Sequence, residues 1–285
     1  MRTRQEIKAI GKAQFKANYW PCVGVAFLIP FILNIIPSIM SRPYYSTIIN
    51  MAVTGSEPTA QQLTSMFSSM ALGYFVSWII ILLLRGPMDI GKGFFFIMNV
   101  LGNEREATLA SPFRSAFTGY GRKLGGYLWK ALFLSLWSLI AGAGAAVYRI
   151  LVGIAVGADT SAALRIILIL LGVLILIASY LPAIIKAFSY YMTTYLLADC
   201  PNVRAQDALK LSMRIMDGHK WELCVFELSF IGWGILTLFT FGILNIFFVN
   251  PYFQSSEATY YLEVREQALR TGVVTMGQLE GVEPV

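Results

Sequence analysis

The chain has 285 residues, of which 56% are hydrophobic and only 13% charged, and its mean hydropathy is +0.63; a water-soluble domain carries about a quarter charged residues, so that class is excluded. The formal net charge of +6 would suit a nucleic-acid binder. Its basic residues, however, are dispersed at the ends of apolar runs, where cytoplasmic loops of membrane proteins carry them, and no nucleic-acid partner is expected. Several apolar runs reach the roughly 20 residues that cross a hydrocarbon core, which predicts an all-α, polytopic membrane helix bundle of about six transmembrane helices with interfacial amphipathic helices beside them.

Thr3 and Glu6 form a T-x-x-E capping box at the start of a helix over residues 1–18. Arg4, Lys8, Lys12 and Lys16 drift along one face of it, with Ile7, Ile10 and Ala17 opposite. Such a basic amphipathic helix is expected to lie on anionic headgroups at the inner leaflet. No A-x-A-like cleavage site follows, so it reads as a retained anchor rather than a signal peptide.

The first span is predicted over residues 19–40, kinked by Pro30 and Pro37, with Tyr19 and Trp20 at its inner edge. Residues 41–69 are polar, carry Arg42 and Glu57 as their charges, and read as an outer loop; Pro58 suits the first turn of the next helix. The second span covers residues 65–84 and is expected to stop at Arg85, Gly86 and Pro87. Bases outnumber acids over residues 85–123, which places that segment in the cytoplasm. Its aromatic run, Phe94 to Phe96, fits either the end of a broken helix or a piece lying on the bilayer.

A third span is predicted over residues 124–148. Ala141 with Ala145, and Gly142 with Ala146, give small-xxx-small spacings that allow close helix approach and a homo- or hetero-oligomer through small-residue faces. After an outer connection at residues 149–164, apolar sequence runs from 165 to 198, too long for one upright crossing. Pro182 is the expected bend, with residues 187–198 and Tyr190, Tyr191 and Tyr195 along the inner interface.

Over residues 205–218, Asp207, Lys210, Arg214 and Asp217 share one helical stripe, and Leu209, Leu211, Ile215 and Met216 fall opposite. This predicts a helix lying flat on the cytoplasmic membrane surface, ended by Gly218. The fifth span starts at Trp221. Thr240, Gly242 and Asn245 offer a turn, so residues 221–253 are read as a hairpin, with a polar sixth span over residues 243–261. Tyr261, Val264 and Ala268 continue as an amphipathic stripe, and residues 271–285 are expected to be disordered. Residues 1–270 are read as a single multipass domain.

With both termini inside the plasma membrane, Arg85, Lys130, Lys186 and Glu227 share one depth near the cytoplasmic face. Lysine and arginine stems snorkel from there, but glutamate is shorter and must be neutral, paired or hydrated. Glu227 paired with Lys186 or Lys130, beside Arg85, is therefore the candidate binding cluster, for a lipid headgroup or small anion. A structural ion pair between helices is the plainer reading of the same residues. Catalytic motifs are missing: no G-x-S-x-G, Walker loop or H-E-x-x-H occurs. The single histidine, His219, lacks a ligand set, and Cys22, Cys200 and Cys224 lack C-x-x-C spacing. No metal, cofactor or disulfide is expected.

The run Tyr195-Leu196-Leu197-Ala198-Asp199-Cys200-Pro201, with Met216-Asp217-Gly218-His219-Lys220, Leu228-Ser229-Phe230-Ile231-Gly232-Trp233 and Asn250-Pro251-Tyr252, resembles the bacterial integral membrane family catalogued as domain of unknown function 975. The resemblance implies a multipass bundle in the plasma membrane and supplies no activity. On the residues alone, the expected function is that of a non-enzymatic binding, scaffold or assembly component whose partners are membrane lipids. The alternative is a transporter or channel-like protein that uses the inner polar cluster, and a lipid-modifying enzyme ranks last.

Overall fold

The computed structural model describes residues 2–40, 42–55, 59–157 and 161–285. Glu57 and Pro58 lie outside the described residues. The chain forms two compact units. The first comprises residues 5–124 and 233–259, and the second comprises the residues up to Arg4, residues 125–232 and residues 260–285. Both are helical, with no strand among the described residues.

In the first unit, α1 (Arg4–Ala17) leads into α2 (Tyr19–Met40). Ile7 and Phe15 of α1 are fully buried. Gly11 presses so close to Ser256 that a Cβ would fall 2.6 Å from its Oγ. Protein therefore covers the apolar face of α1. The loop expected after the first span instead contains α3 (Arg42–Thr54). Pro43 stands at its second position, where a missing N–H costs no intrahelical bond.

Helix α4 (Ala60–Val100) opens on a Thr59–Gln62 capping box and runs unbroken for 41 residues. The stop expected at residues 85–87 is absent, and Phe94 to Phe96 belong to this helix. A mid-helix proline leaves the carbonyl four residues earlier without its N–H partner. For Pro87 that carbonyl is Leu83, and the Tyr120 hydroxyl donates to it at 3.1 Å. The same remedy recurs twice. Pro30 frees the Ala26 carbonyl, which accepts from Asn250 Nδ2 at 3.0 Å. Pro251 frees the Phe247 carbonyl, which accepts from the Tyr19 hydroxyl at 3.0 Å. Side chains of other helices thus satisfy groups that would otherwise be orphaned in an apolar setting. Beyond Pro87, Gly91 lets α4 meet α5 (Ser111–Phe117): a Cβ there would lie 2.1 Å from the Pro112 carbonyl oxygen.

In the second unit, α6 (Tyr120–Gly157) packs on α7 (Ala162–Ser189) through small residues. Ala141 and Gly144 are buried, and a Cβ on Gly144 would lie 2.0 Å from Ser179 Oγ. Gly142 has nothing within 4 Å, so one of the two small-residue faces is used and the other is open. Pro182 lies inside α7 without ending it; the chain breaks instead at residues 190–192, before α8 (Thr193–Asp199). Tyr190 and Tyr195, expected at the bilayer interface, are buried in protein at 3% and 7% exposure. Tyr195 stacks on Tyr261 with ring centroids 5.3 Å apart.

Next come α9 (Ala205–Ile215), α10 (Lys220–Leu228) and α11 (Ile231–Phe239). The apolar residues of α9, Leu209, Leu211 and Ile215, are buried in protein, so this helix does not offer an apolar face to lipid. Gly218 ends the segment at φ 83°, as the sequence predicted. Phe241 and Gly242, at φ 50° and 81°, turn the chain after α11. A π-helical segment follows (Asn245–Val249), then α12 (Asn250–Arg270) and a short α13 (Met276–Leu279) with its own Thr275–Gln278 capping box. The tail expected to lack structure therefore carries a helical turn, anchored by buried Val274 and Leu279.

Among the described residues, five helical stretches are long and apolar enough to cross a membrane: Tyr19–Ile39, Ala60–Val100, Tyr120–Gly157, Ala162–Asp199 and Lys220–Phe239. The segment after Gly242, expected as a sixth span, is more polar and is divided between the π-helical segment and α12.

Candidate functional site

The four residues singled out from the sequence are divided between the two units. Arg85 belongs to the first unit, where its Nε lies 3.9 Å from Asp89, which also receives Lys92 at 3.5 Å. The other three belong to the second unit. Lys130 Nζ donates to Thr194 Oγ1 at 3.3 Å. Lys186 Nζ sits over the Trp137 ring, 5.2 Å from its centroid. Glu227 is half-buried, lies near the Tyr260 phenol, and has no ion pair among the described residues.

The strongest polar constellation of the second unit lies elsewhere. Asp199, at the end of α8, accepts from the Tyr261 hydroxyl at 2.8 Å and from the Arg265 guanidinium. Its side chain is only 11% exposed. Burial pulls the Arg265 guanidinium down, and Asp199 more than offsets this, holding it above its ordinary value. Tyr261 is fully buried. The group therefore clamps α12 to α8, and a charge pair removed from water needs both partners and their hydrogen bonds to be tolerated. On the same helix, Glu263 meets Arg2 at 2.9 Å.

The first unit has two polar constellations. Lys123 is 5% exposed and donates to Ser115 twice, to its carbonyl and, at 2.8 Å, to its hydroxyl. This ammonium caps the end of α5, as a cation at a helix C-terminus does. The other is an amide ladder. Asn18 Nδ2 donates to Asn99 Oδ1 at 2.9 Å and to the Ala107 carbonyl at 3.0 Å, while Asn99 Nδ2 donates to the Gln14 carbonyl at 3.2 Å. Beside the ladder lies a cavity of about 430 Å³, lined among others by Gln14, Ala17, Asn18, Pro21, Asn99 and Glu104.

Sequence reasoning missed these groups because each is made by residues far apart in the chain. One signal was present for the proline contacts: every mid-helix proline marks a carbonyl four residues earlier that needs a donor. Asn250 is one such donor, whereas Asn34 bonds within its own helix, to the Pro30 carbonyl at 2.7 Å.

Among the described residues no group of three or more His, Cys, Asp or Glu side chains is arranged to hold a metal ion. No curated protein and no solved structure matches this chain. A family model does, over residues 1–268, which takes in everything from α1 almost to the end of α12 and leaves out the tail with α13. The chain therefore belongs to the family described as "Protein of unknown function (DUF975)".

Proposed function

We propose that this chain is a multi-pass plasma-membrane protein with both termini in the cytoplasm, and that it acts as a non-enzymatic binding, scaffold or assembly component. The observation that carries this reading is how the buried polar groups are used. Asp199 is held by Tyr261 and Arg265, Lys123 by Ser115, and Asn18 by Asn99 and Ala107, so polar chemistry goes into joining helices. The apolar windows of α4 and α7 are only 6% buried, which supports extensive contact with lipid. Arg4, Lys8, Lys12 and Lys16 suit anionic headgroups at the inner leaflet. The open Gly142 face of α6 suits a second protein or a second copy.

The Arg2–Glu263 ion pair supports a shared side for the two ends. Five crossings between those residues would separate them, so the return after Gly242 supplies one further passage, through residues 243–258. The proline-freed carbonyls at Ala26 and Phe247 and their donors fit that polar passage.

A carboxyl-terminal reporter fusion, combined with flux measurements on the reconstituted protein, tests the proposal. The expected result is a cytoplasmic carboxyl end and no flux across a substrate panel. An external carboxyl end contradicts the topology. Saturable flux that Glu227→Gln abolishes without loss of folded yield contradicts the scaffold role. That outcome would favour the second reading, a transporter or channel-like protein with Lys130, Lys186 and Glu227 of the second unit about an inward polar pocket, for which the half-buried Glu227, without an ion pair among the described residues, speaks.

A further inference from the structure

Pro21, Pro30, Pro37, Pro87 and Pro251 of the first unit stand within or at the start of helices, and each denies an N–H to the carbonyl four residues before it. Donors from other helices satisfy three of those carbonyls, at Ala26, Leu83 and Phe247. Pro21 takes the N–H donor from the Ala17 carbonyl, and both Ala17 and Pro21 line the 430 Å³ cavity beside the amide ladder.

The ladder makes this cavity one-sided in its chemistry. Asn18 uses both amide hydrogens inward, on Asn99 Oδ1 and the Ala107 carbonyl, so its own Oδ1 remains as an acceptor. Asn99, 4% exposed, fixes the ladder by donating to the Gln14 carbonyl. The C-terminal end of α4 arrives at Gly102, which also lines the cavity and brings the negative pole of a helix. Glu104 adds the one formal charge of the lining and makes no ion pair among the described residues; no Lys or Arg lines the cavity. Acceptors, a helix C-terminus and a carboxylate converge where the first apolar span begins.

We infer that this cavity binds a primary ammonium group, with Glu104 as counter-charge and the Ala17 carbonyl and Asn18 Oδ1 as hydrogen-bond acceptors. A bare divalent ion fits poorly, because the set has a single carboxylate and the volume exceeds a compact oxygen shell. A quaternary ammonium also fits poorly, since it has no N–H to give the acceptors. The ammonium has two sources of the same chemistry, an ethanolamine phospholipid headgroup at the membrane surface or a free amine from water. Only the first source rests on the membrane reading given above.

The test uses the full chain in detergent and in nanodiscs. Saturation-transfer NMR with free ethanolamine, and choline as the comparison, reads the ammonium site. Mass spectrometry of lipid retained from an equal mixture of ethanolamine and choline phospholipids reads the source. Ethanolamine is expected to bind and choline not. Glu104→Gln, at an exposed position, is expected to weaken binding about fivefold, as loss of one partly exposed charge does. Pro21→Ala restores an N–H for Ala17 without changing charge, and is expected to weaken binding about threefold while the melting temperature does not fall. Selective retention of ethanolamine phospholipid, lost in Glu104→Gln, assigns the headgroup; binding of free ethanolamine without lipid selectivity assigns the amine. Equal binding of choline, or binding unchanged in both variants, overturns the inference. Topology and flux do not enter this experiment, so its failure leaves the scaffold proposal standing.

Discussion

The two halves of α4 are built from similarly apolar sequence and meet opposite fates. Before Arg85, Leu72, Phe75 and Trp78 are about 60% exposed; after it, Phe95, Phe96 and Ile97 are fully buried. The second unit repeats the contrast. Leu170 and Leu174 of α7 are 63% and 64% exposed, whereas Leu196 of α8 and Leu211 of α9 are fully buried. Hydrophobicity alone does not distinguish these regions. Polar and small residues do: Gly91, Asn99, Lys123, Asp199, Tyr261 and Arg265 lie in or beside the packed ends, where they supply close approach and interhelical hydrogen bonds. The bare windows offer apolar surface on nearly all sides, which is the composition of a helix surrounded by lipid.

Matched substitutions break or sharpen this contrast. The largest difference is expected for glycine. Gly91→Val drives a side chain into the Pro112 carbonyl and should destabilise by about 3 kcal/mol or more, whereas Gly142→Val, with open space around it, should change stability by less than about 0.5 kcal/mol. Thermal unfolding in detergent compares the two. Truncation comes next: Leu196→Ala should cost about 2–4 kcal/mol and Leu174→Ala close to nothing, by the same measurement. Equal losses would mean that α7 has a protein partner rather than lipid along that face.

A smaller effect tests the proline account. Asn250→Ala should cost about 1–3 kcal/mol by orphaning the Ala26 carbonyl, and much less in a Pro30→Ala background, where the restored N–H takes that carbonyl. Additive losses in the double mutant would refute the coupling. The smallest effect is at the exposed end of α12. The Arg270 hydrogen bond and charge hold the Glu266 carboxyl below its ordinary value of 4.5. Its contribution is therefore present above that value and fades as pH falls through the depressed one. Glu266→Gln should remove only this small acid-side dependence, which denaturation profiles at pH 3 to 6 would read.

The membrane class, the order of apolar helices and the turn at Gly242 were legible in the sequence, because length and apolar composition report directly on transfer to lipid. Gly218, ending its helix at positive φ, was legible for a local reason too. The errors share one cause. Pro87 and Pro182 were read as a stop and a bend, the latter ending the span, because local rules penalise a missing N–H; at Pro87 the compensating donor, Tyr120, lies 37 positions beyond the carbonyl it satisfies. Likewise α1 and α9 have the amphipathic pattern of membrane-surface helices, and their apolar faces are covered by protein. Periodicity states that a face is to be buried, not by what. Among candidate site residues, Arg85, Lys130, Lys186 and Glu227 were found by the cost of charge in an apolar run, a local property. Asp199 with Arg265 and Asn18 with Asn99 escaped that test because their partners are 66 and 81 residues away.

Footprinting the intact protein with a photoreactive phospholipid, followed by peptide mapping, tests the contrast between bare and packed apolar surface most directly. Adducts are expected on Leu72, Phe75 and Trp78 of α4 and on Leu170, Leu174 and Ile177 of α7, with Phe95, Ile97, Leu196 and Leu211 unmodified. Labelling of those four buried residues at the level of the exposed six, or protection of the six, would contradict it.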